Sequence, residues 1–257
     1  MRAIATSALL VTAAALVLLG PQDSRADDLV VLSAAAVRPA LLRLPALFEK
    51  ASGHRVAVSF GNATAISRRV VDGERVDIVI LPPRPLTALI GHGHLAAEGR
   101  ADLGVVRLGL AMRAGATPPP VGTPEAFKQA LLTAASFGMP DPAGGSTSSQ
   151  HLVKVLQQLG IAEAMKGRIR YFKDGTQALH AVAKGELALS VAPTTSIRVV
   201  PGVALAGPLP DALQSRTVYA AALARKSAAS PPAKALLAML TSPAFAAVLR
   251  DRGIDPP

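Results

Sequence analysis

From Leu29 onward the chain alternates two signals without an internal sequence repeat: a short apolar run, then, past a turn, a stretch with apolar residues at helical spacing. Leu29-Val30-Val31-Leu32 reads as a buried strand, and Val37 to Ala51 places Leu41, Leu44, Leu47 and Phe48 on one helical face that Gly53 ends. Val56 to Phe60 alternates as a strand. Ala63 to Val71 reads as a helix stopped by Asp72-Gly73, and Val76 to Leu81 as a strand closed by Pro82-Pro83. Strands alternating with helices of this length predict an α/β fold, each layer a mainly parallel sheet flanked by helices.

A second set follows. Val105 to Met112 reads as a strand. Thr123-Pro124-Glu125 starts a helix with a capping hydroxyl and a proline in the first turn. Ala135 to Met139 is a strand and Ser146 to Leu159 a helix ended by Gly160. Ile169 to Phe172, Leu187 to Ala192, Val203 to Leu205 and Thr217 to Ala224 are strands, with a helix over Thr176 to Ala183. Pro231 to Leu240 and Pro243 to Arg250 are C-terminal helices. The loop Ala114 to Pro120 is stiff with prolines.

Ahead of this lies different grammar. Arg2 precedes an almost unbroken apolar run from Ala3 to Gly20, and Ser24-Arg25-Ala26 offers small residues where a signal peptidase reads. The run is also near the length of a membrane span. The polar break Gln22-Asp23-Ser24 favours a signal peptide over 1–26, removed after Ala26, so the mature chain is expected in the periplasm. The 257 residues carry a formal charge of +10 and no cysteine. The basic residues are scattered and aromatics are 3%, which argues against nucleic acid and for a milder attraction to anions.

Catalytic signatures are missing. No Gly-x-Ser-x-Gly elbow or Walker-type phosphate loop occurs, and thiolate chemistry is excluded. His92-Gly93-His94 lacks further ligands for a metal apart from Glu98, so no metal or other cofactor is expected. Asp72-Gly73 reads as a turn, with Glu74 and Asp77 on a solvated edge. The expectation is a binding protein, not an enzyme.

The order of short motifs carries a resemblance. Val31-Leu-Ser-Ala-Ala-Ala-Val-Arg-Pro-Ala-Leu41, Phe48-Glu-Lys-Ala-Ser-Gly-His-Arg-Val56 and Phe60-Gly-Asn-Ala-Thr64 come first. Val76-Asp-Ile-Val-Ile80, Asp141-Pro-Ala-Gly-Gly-Ser146, Gly207-Pro-Leu-Pro-x-x-Leu-Gln214, Thr217-Val-Tyr-Ala220 and Leu240-Thr-Ser-Pro-Ala244 follow. Together they resemble the periplasmic molybdate-binding component of bacterial ABC importers. The resemblance implies a two-lobed type II periplasmic-binding-protein fold. Lobe one would hold 27–107 and 216–257, lobe two 108–215, with a small anion clamped between. It also implies a monomer that docks on a membrane permease. A ligand sensor signalling to a membrane partner fits the same sequence.

Physical reasoning locates the clamp. Open α/β sheets bind ligands at the carboxyl ends of strands, where helix starts offer unpartnered N–H groups to an anion. Three junctions qualify: Ser33 to Ala36, Asn62-Ala63-Thr64, and Gly144 to Ser149. Ser33, Ala35, Ala36, Asn62, Ala63, Thr64, Gly145, Ser146 and Thr147 are therefore expected to bind ligand. Ser, Thr and Asn at such places are also ordinary N-caps. Arg38 and Arg68 sit near cleft-facing helix starts, where a guanidinium suits a ligand carboxylate, although solvated surface arginines fit the same positions. The resemblance adds Pro193 and Thr194 and marks a departure. The family's two serine hydroxyls and its tyrosine fall at Ala36, Ala63 and Pro193, so the ligand is expected to have changed from molybdate to another anion, such as an organic carboxylate.

Overall fold

Each apolar run forms a strand and most intervening stretches form helices in the computed structural model, which describes residues 28–257. The expected signal segment lies outside the described residues. In chain order the elements are β1 (Leu29–Ala34), α1 (Arg38–Leu41), α2 (Leu44–Ser52), β2 (Val56–Gly61), α3 (Ala63–Val71), β3 (Ile78–Leu81), α4 (Pro83–Gly91), β4 (Ala101–Val106) and β5 (Leu108–Arg113). They continue as α5 (Pro124–Thr133), β6 (Phe137–Pro140), α6 (Thr147–Gln158), α7 (Ala162–Lys166), β7 (Ile169–Phe172), α8 (Gly175–Ala183), β8 (Leu189–Pro193) and α9 (Thr194–Ile197). The last are β9 (Val203–Pro208), β10 (Thr217–Leu223), α10 (Pro231–Leu240) and α11 (Pro243–Asp251).

The strands make two five-stranded sheets, ordered β2-β1-β3-β10-β4 and β7-β6-β8-β5-β9. In the first, β1 runs parallel to β2 and β3, and β10 is antiparallel to β3 and β4. In the second, β6 runs parallel to β7 and β8, and β5 is antiparallel to β8 and β9. Each sheet therefore has a single reversed strand, and the two reversed strands occupy the same place in the order. Around them sit two separate cores. Leu32, Phe48, Ile66 and Ile80 pack in the first; Leu110, Phe127, Phe137 and Leu152 pack in the second. Burying each such side chain contributes roughly 1.5–3 kcal/mol.

Two expectations change in informative ways. The run Val37 to Ala51 is not one helix. A 3-10 turn over Ala35–Val37 leads into α1, and α2 starts afresh at Leu44. Pro39 and Pro45 cause the breaks, because neither has an amide hydrogen to continue a helical ladder and both suit a first turn. The run Val105 to Met112 is not one strand. β4 pairs in the first sheet, β5 pairs in the second, and Arg107 alone lies between them.

Asp77 also departs from the solvated edge expected of it. It is buried at 8% exposure, and its carboxylate accepts from the Val30 amide at 2.8 Å and the Ser227 hydroxyl at 2.7 Å. It ties β1 to the segment after β10. The end of the second sheet is stapled differently. The Gln214 side chain accepts from the Leu108 amide at 2.7 Å and donates to the Leu108 and Leu209 carbonyls, each at 3.1 Å.

Candidate functional site

The carboxyl ends of the forward strands and the starts of the reversed strands meet at a cavity of about 220 Å³. Ala34 ends β1, Gly61 ends β2, Val106 ends β4 and Pro193 ends β8, and all line it. Leu108 opens the reversed β5, and Thr217 and Tyr219 lie at the start of the reversed β10. One reversed strand per sheet thus lets both sheets aim helix starts and strand ends at one space.

Eight of the expected ligand residues line this cavity: Ala35, Ala36, Arg38, Asn62, Ala63, Ser146, Thr147 and Pro193. Four do not. Ser33 is fully buried and its hydroxyl donates to the Ala34 carbonyl at 3.1 Å. The two-residue period of a strand puts it on the face opposite Ala34. Thr194 is buried, and its amide donates to the Arg107 carbonyl at 2.9 Å. Thr64 and Gly145 meet each other across the rim. Gly145 has φ of 80°, and a β-carbon there would overlap the Thr64 side chain. Only glycine meets both demands at that point. Arg68 pairs loosely with Asp72 at 3.9 Å on an exposed helix face and does not line the cavity.

The choice between cap and ligand donor resolves differently at different junctions. The Asn62 side chain accepts from the Ala65 amide at 2.8 Å, so it caps α3. Asp174 caps α8 by accepting from the Gln177 amide at 2.9 Å. Ser146 precedes α6 without capping it; its hydroxyl instead meets that of Ser148 at 3.0 Å. The first amides of α6 therefore lack a side-chain partner at the N-cap, and the macrodipole adds positive character there.

Several lining residues were not expected. Lys173, Asp174, Gly175 and Thr176 come from the β7–α8 junction, Ser196 from α9, and Thr217 and Tyr219 from β10. The signal for the first group was present, since Phe172-Lys-Asp-Gly-Thr176 is another strand-to-helix handover. Tyr219 supplies a phenol from the first sheet, although the position expected to carry one in the second holds Pro193. Burial pushes its hydroxyl up to about 12, while a hydrogen bond with Thr147 pulls the other way. At neutral pH the group is a donor or acceptor, never an anion. The Thr195 hydroxyl donates to the Ala36 carbonyl at 2.7 Å, joining α9 of the second sheet's side to the turn after β1.

Two cations line the cavity. The Arg38 guanidinium lies 5.3 Å from the centre of the Phe60 ring, a cation–π arrangement that orients it. Lys173 enters from the other side. Among the described residues neither is within ion-pair distance of a carboxylate.

Two α/β sheets of matching order, joined by reversed crossover strands and sharing a donor-lined cleft, define the type II class of periplasmic binding fold. Residues 29–255 match the family described as bacterial extracellular solute-binding protein, and the chain belongs to that family. It is 30% identical over 233 residues to an aconitate isomerase from Pseudomonas sp., spanning 89% of this chain and 87% of that protein. Among solved structures, it resembles the periplasmic molybdate-binding protein of Azotobacter vinelandii, with a TM-score of 0.74 at 19% identity over 89% of this chain and 99% of that one. The tungstate ABC transporter structure from Geobacter sulfurreducens gives a TM-score of 0.68 at 16% identity, covering 88% and 98%.

Proposed function

We propose that this protein is the extracytoplasmic solute-binding component of an ABC-type importer and that it closes on a small organic carboxylate. In this reading 1–26 direct export and are removed, and the mature monomer works in the periplasm. One lobe comprises 27–107 and 216–257, the other 108–215, and closure presents a joint surface to the membrane permease. The observation that carries the ligand class is Arg38. Its guanidinium is oriented on Phe60 and faces the cleft without a carboxylate partner among the described residues, the disposition that suits bidentate capture of a ligand carboxylate. The α6 amides on the opposite wall add donors. The positions where the resemblance expects hydroxyls around a tetrahedral oxyanion hold Ala36, Ala63 and Pro193, which offer alkyl surface to a hydrocarbon chain instead.

The test is a thermal-shift screen of the mature chain with molybdate, tungstate and small organic acids. An organic acid at about 100 times its dissociation constant should add about 2.7 kcal/mol of stability. Submicromolar binding of molybdate or tungstate with no response to organic acids overturns the reading.

A second reading is favoured by the relative named aconitate isomerase. The same cleft would then isomerise a bound unsaturated carboxylate rather than deliver it. A protonated Tyr219 hydroxyl beside the bound ligand would serve as a donor to developing charge. Incubation of the purified chain with cis- or trans-aconitate, followed by proton NMR, separates the two readings. Turnover to the other isomer selects catalysis; stable binding without conversion selects transport.

A further inference from the structure

We infer that the solute carries at least two carboxylates, one seated on Arg38 and another on Lys173, with its hydrocarbon spine against the alkyl surface between them. The inference rests on the cleft being the anion site proposed above, and it narrows the class of anion. Arg38 follows β1 of the first sheet and Lys173 follows β7 of the second, so the two cations approach from opposite sides of one cavity. Each lacks an ion-pair partner among the described residues. The one carboxylate in the lining, Asp174, is engaged with the start of α8 through the Gln177 amide at 2.9 Å. That hydrogen bond holds the carboxylate at the helix start without removing its charge, so the lining sets two cations against one carboxylate and keeps an excess of positive charge.

The carbon in the lining argues against a compact inorganic anion. Ala34, Ala36, Val106, Leu108, Ala192 and Pro193 present carbon to the cavity. A tetrahedral oxyanion has no carbon to set against this surface. A molecule with carboxylates at both ends and methylene or vinyl carbon in the middle matches both features. It neutralises the two cations and buries its spine. Because one cation comes from each side, such a ligand also bridges the sides, whereas a monocarboxylate on Arg38 would not engage Lys173.

Calorimetric titration of the mature chain tests this with acetate and butyrate as monocarboxylates and succinate, glutarate and tricarballylate as polycarboxylates. At least one polycarboxylate should bind about 100-fold more tightly than either monocarboxylate, the worth of one added charge-assisted contact. Lys173→Met should remove about tenfold or more of that affinity and cost monocarboxylates several times less. Arg38→Met should weaken both classes. Both side chains are exposed, so the variants should melt as the parent does without ligand. Equal affinity for the two classes, or a Lys173→Met variant that binds polycarboxylates like the parent, overturns the inference and leaves the carboxylate-binding function standing. No binding of any organic acid, with tight binding of molybdate, overturns both.

Discussion

The two walls of the cleft stand on scaffolds of the same design and carry different chemistry. Each sheet has five strands in the same order with one reversed crossover strand. Yet the first wall offers Ala34, Ala35 and Ala36, a capping Asn62 and the guanidinium of Arg38, while the second offers Ser146, Thr147, Ser148, Thr176 and the ammonium of Lys173. Backbone layout fixes where helix starts and strand ends converge. Side chains then decide what they recognise: the first wall sets a planar cation among alanines with the Tyr219 phenol beside them, and the second sets a flexible ammonium among hydroxyls with the carbon of Leu108, Ala192 and Pro193. A duplicated scaffold does not imply a symmetric ligand site.

The contrast can be broken most severely at the rim. Gly145→Ala puts a methyl where Thr64 of the opposite wall lies and forces a left-handed backbone on alanine. Ligand affinity should fall about 100-fold, an overlap costing about 3 kcal/mol, and X-ray scattering should show that ligand no longer compacts the protein. Pairing it with Thr64→Gly should recover most of the affinity. Recovery without the second change would mean that the walls do not need to meet there.

Tyr219 tests how dry the first wall is. Its hydroxyl is raised from an ordinary 10.0 to about 12 by burial, so folding favours the protonated form. Its stabilising contribution is complete below pH 10 and is lost as pH rises from 10 toward 12. Urea unfolding at rising pH should show the parent losing on the order of 2 kcal/mol across that window through this group. Tyr219→Phe should lack this component, and equal slopes would contradict the burial.

The smallest effects separate cap from ligand donor. Asn62→Ala should cost about 1 kcal/mol of stability by removing the α3 cap, with little change in affinity. Ser146→Ala should do the reverse, lowering affinity severalfold while the melting temperature without ligand holds, since Ser146 caps nothing. Denaturant titration and calorimetry on the pair read both quantities.

Local signals carried well where the physics was local. The helix Ala63–Val71 and the strand Ile169–Phe172 match their expected spans, and the Thr123 cap with Pro124 behind it is present, the hydroxyl accepting from the Ala126 amide at 3.2 Å. The helix Pro83–Gly91 and all but the end of the strand Ala101–Val106 went unread in the stretch after Pro82. Val105 to Met112 is continuous in hydropathy, and only pairing with two different sheets divides it at Arg107, a nonlocal fact. Asp77 looked like a surface acid because its partners are 47 and 150 residues away. Much of the site was legible because strand-to-helix junctions are sequence features. Tyr219 was not, since its aim depends on the pairing of β10, which shifts register between Tyr219 and Ala220 against β4. Such irregularities redirect side chains beside binding sites. Lys173 could have been found by applying the junction rule to every strand end.

The single residue between β4 and β5 has a mechanical corollary. With Arg107 alone as the outbound link and Leu209 to Arg216 as the return, the two bodies share a very short axle. Gln214, stapled to Leu108 beside that axle, holds the pair of strands in step. Links this short favour a swing over a slide, and under the proposed role a solute held at both ends would convert its own length into an angle between the two sheets.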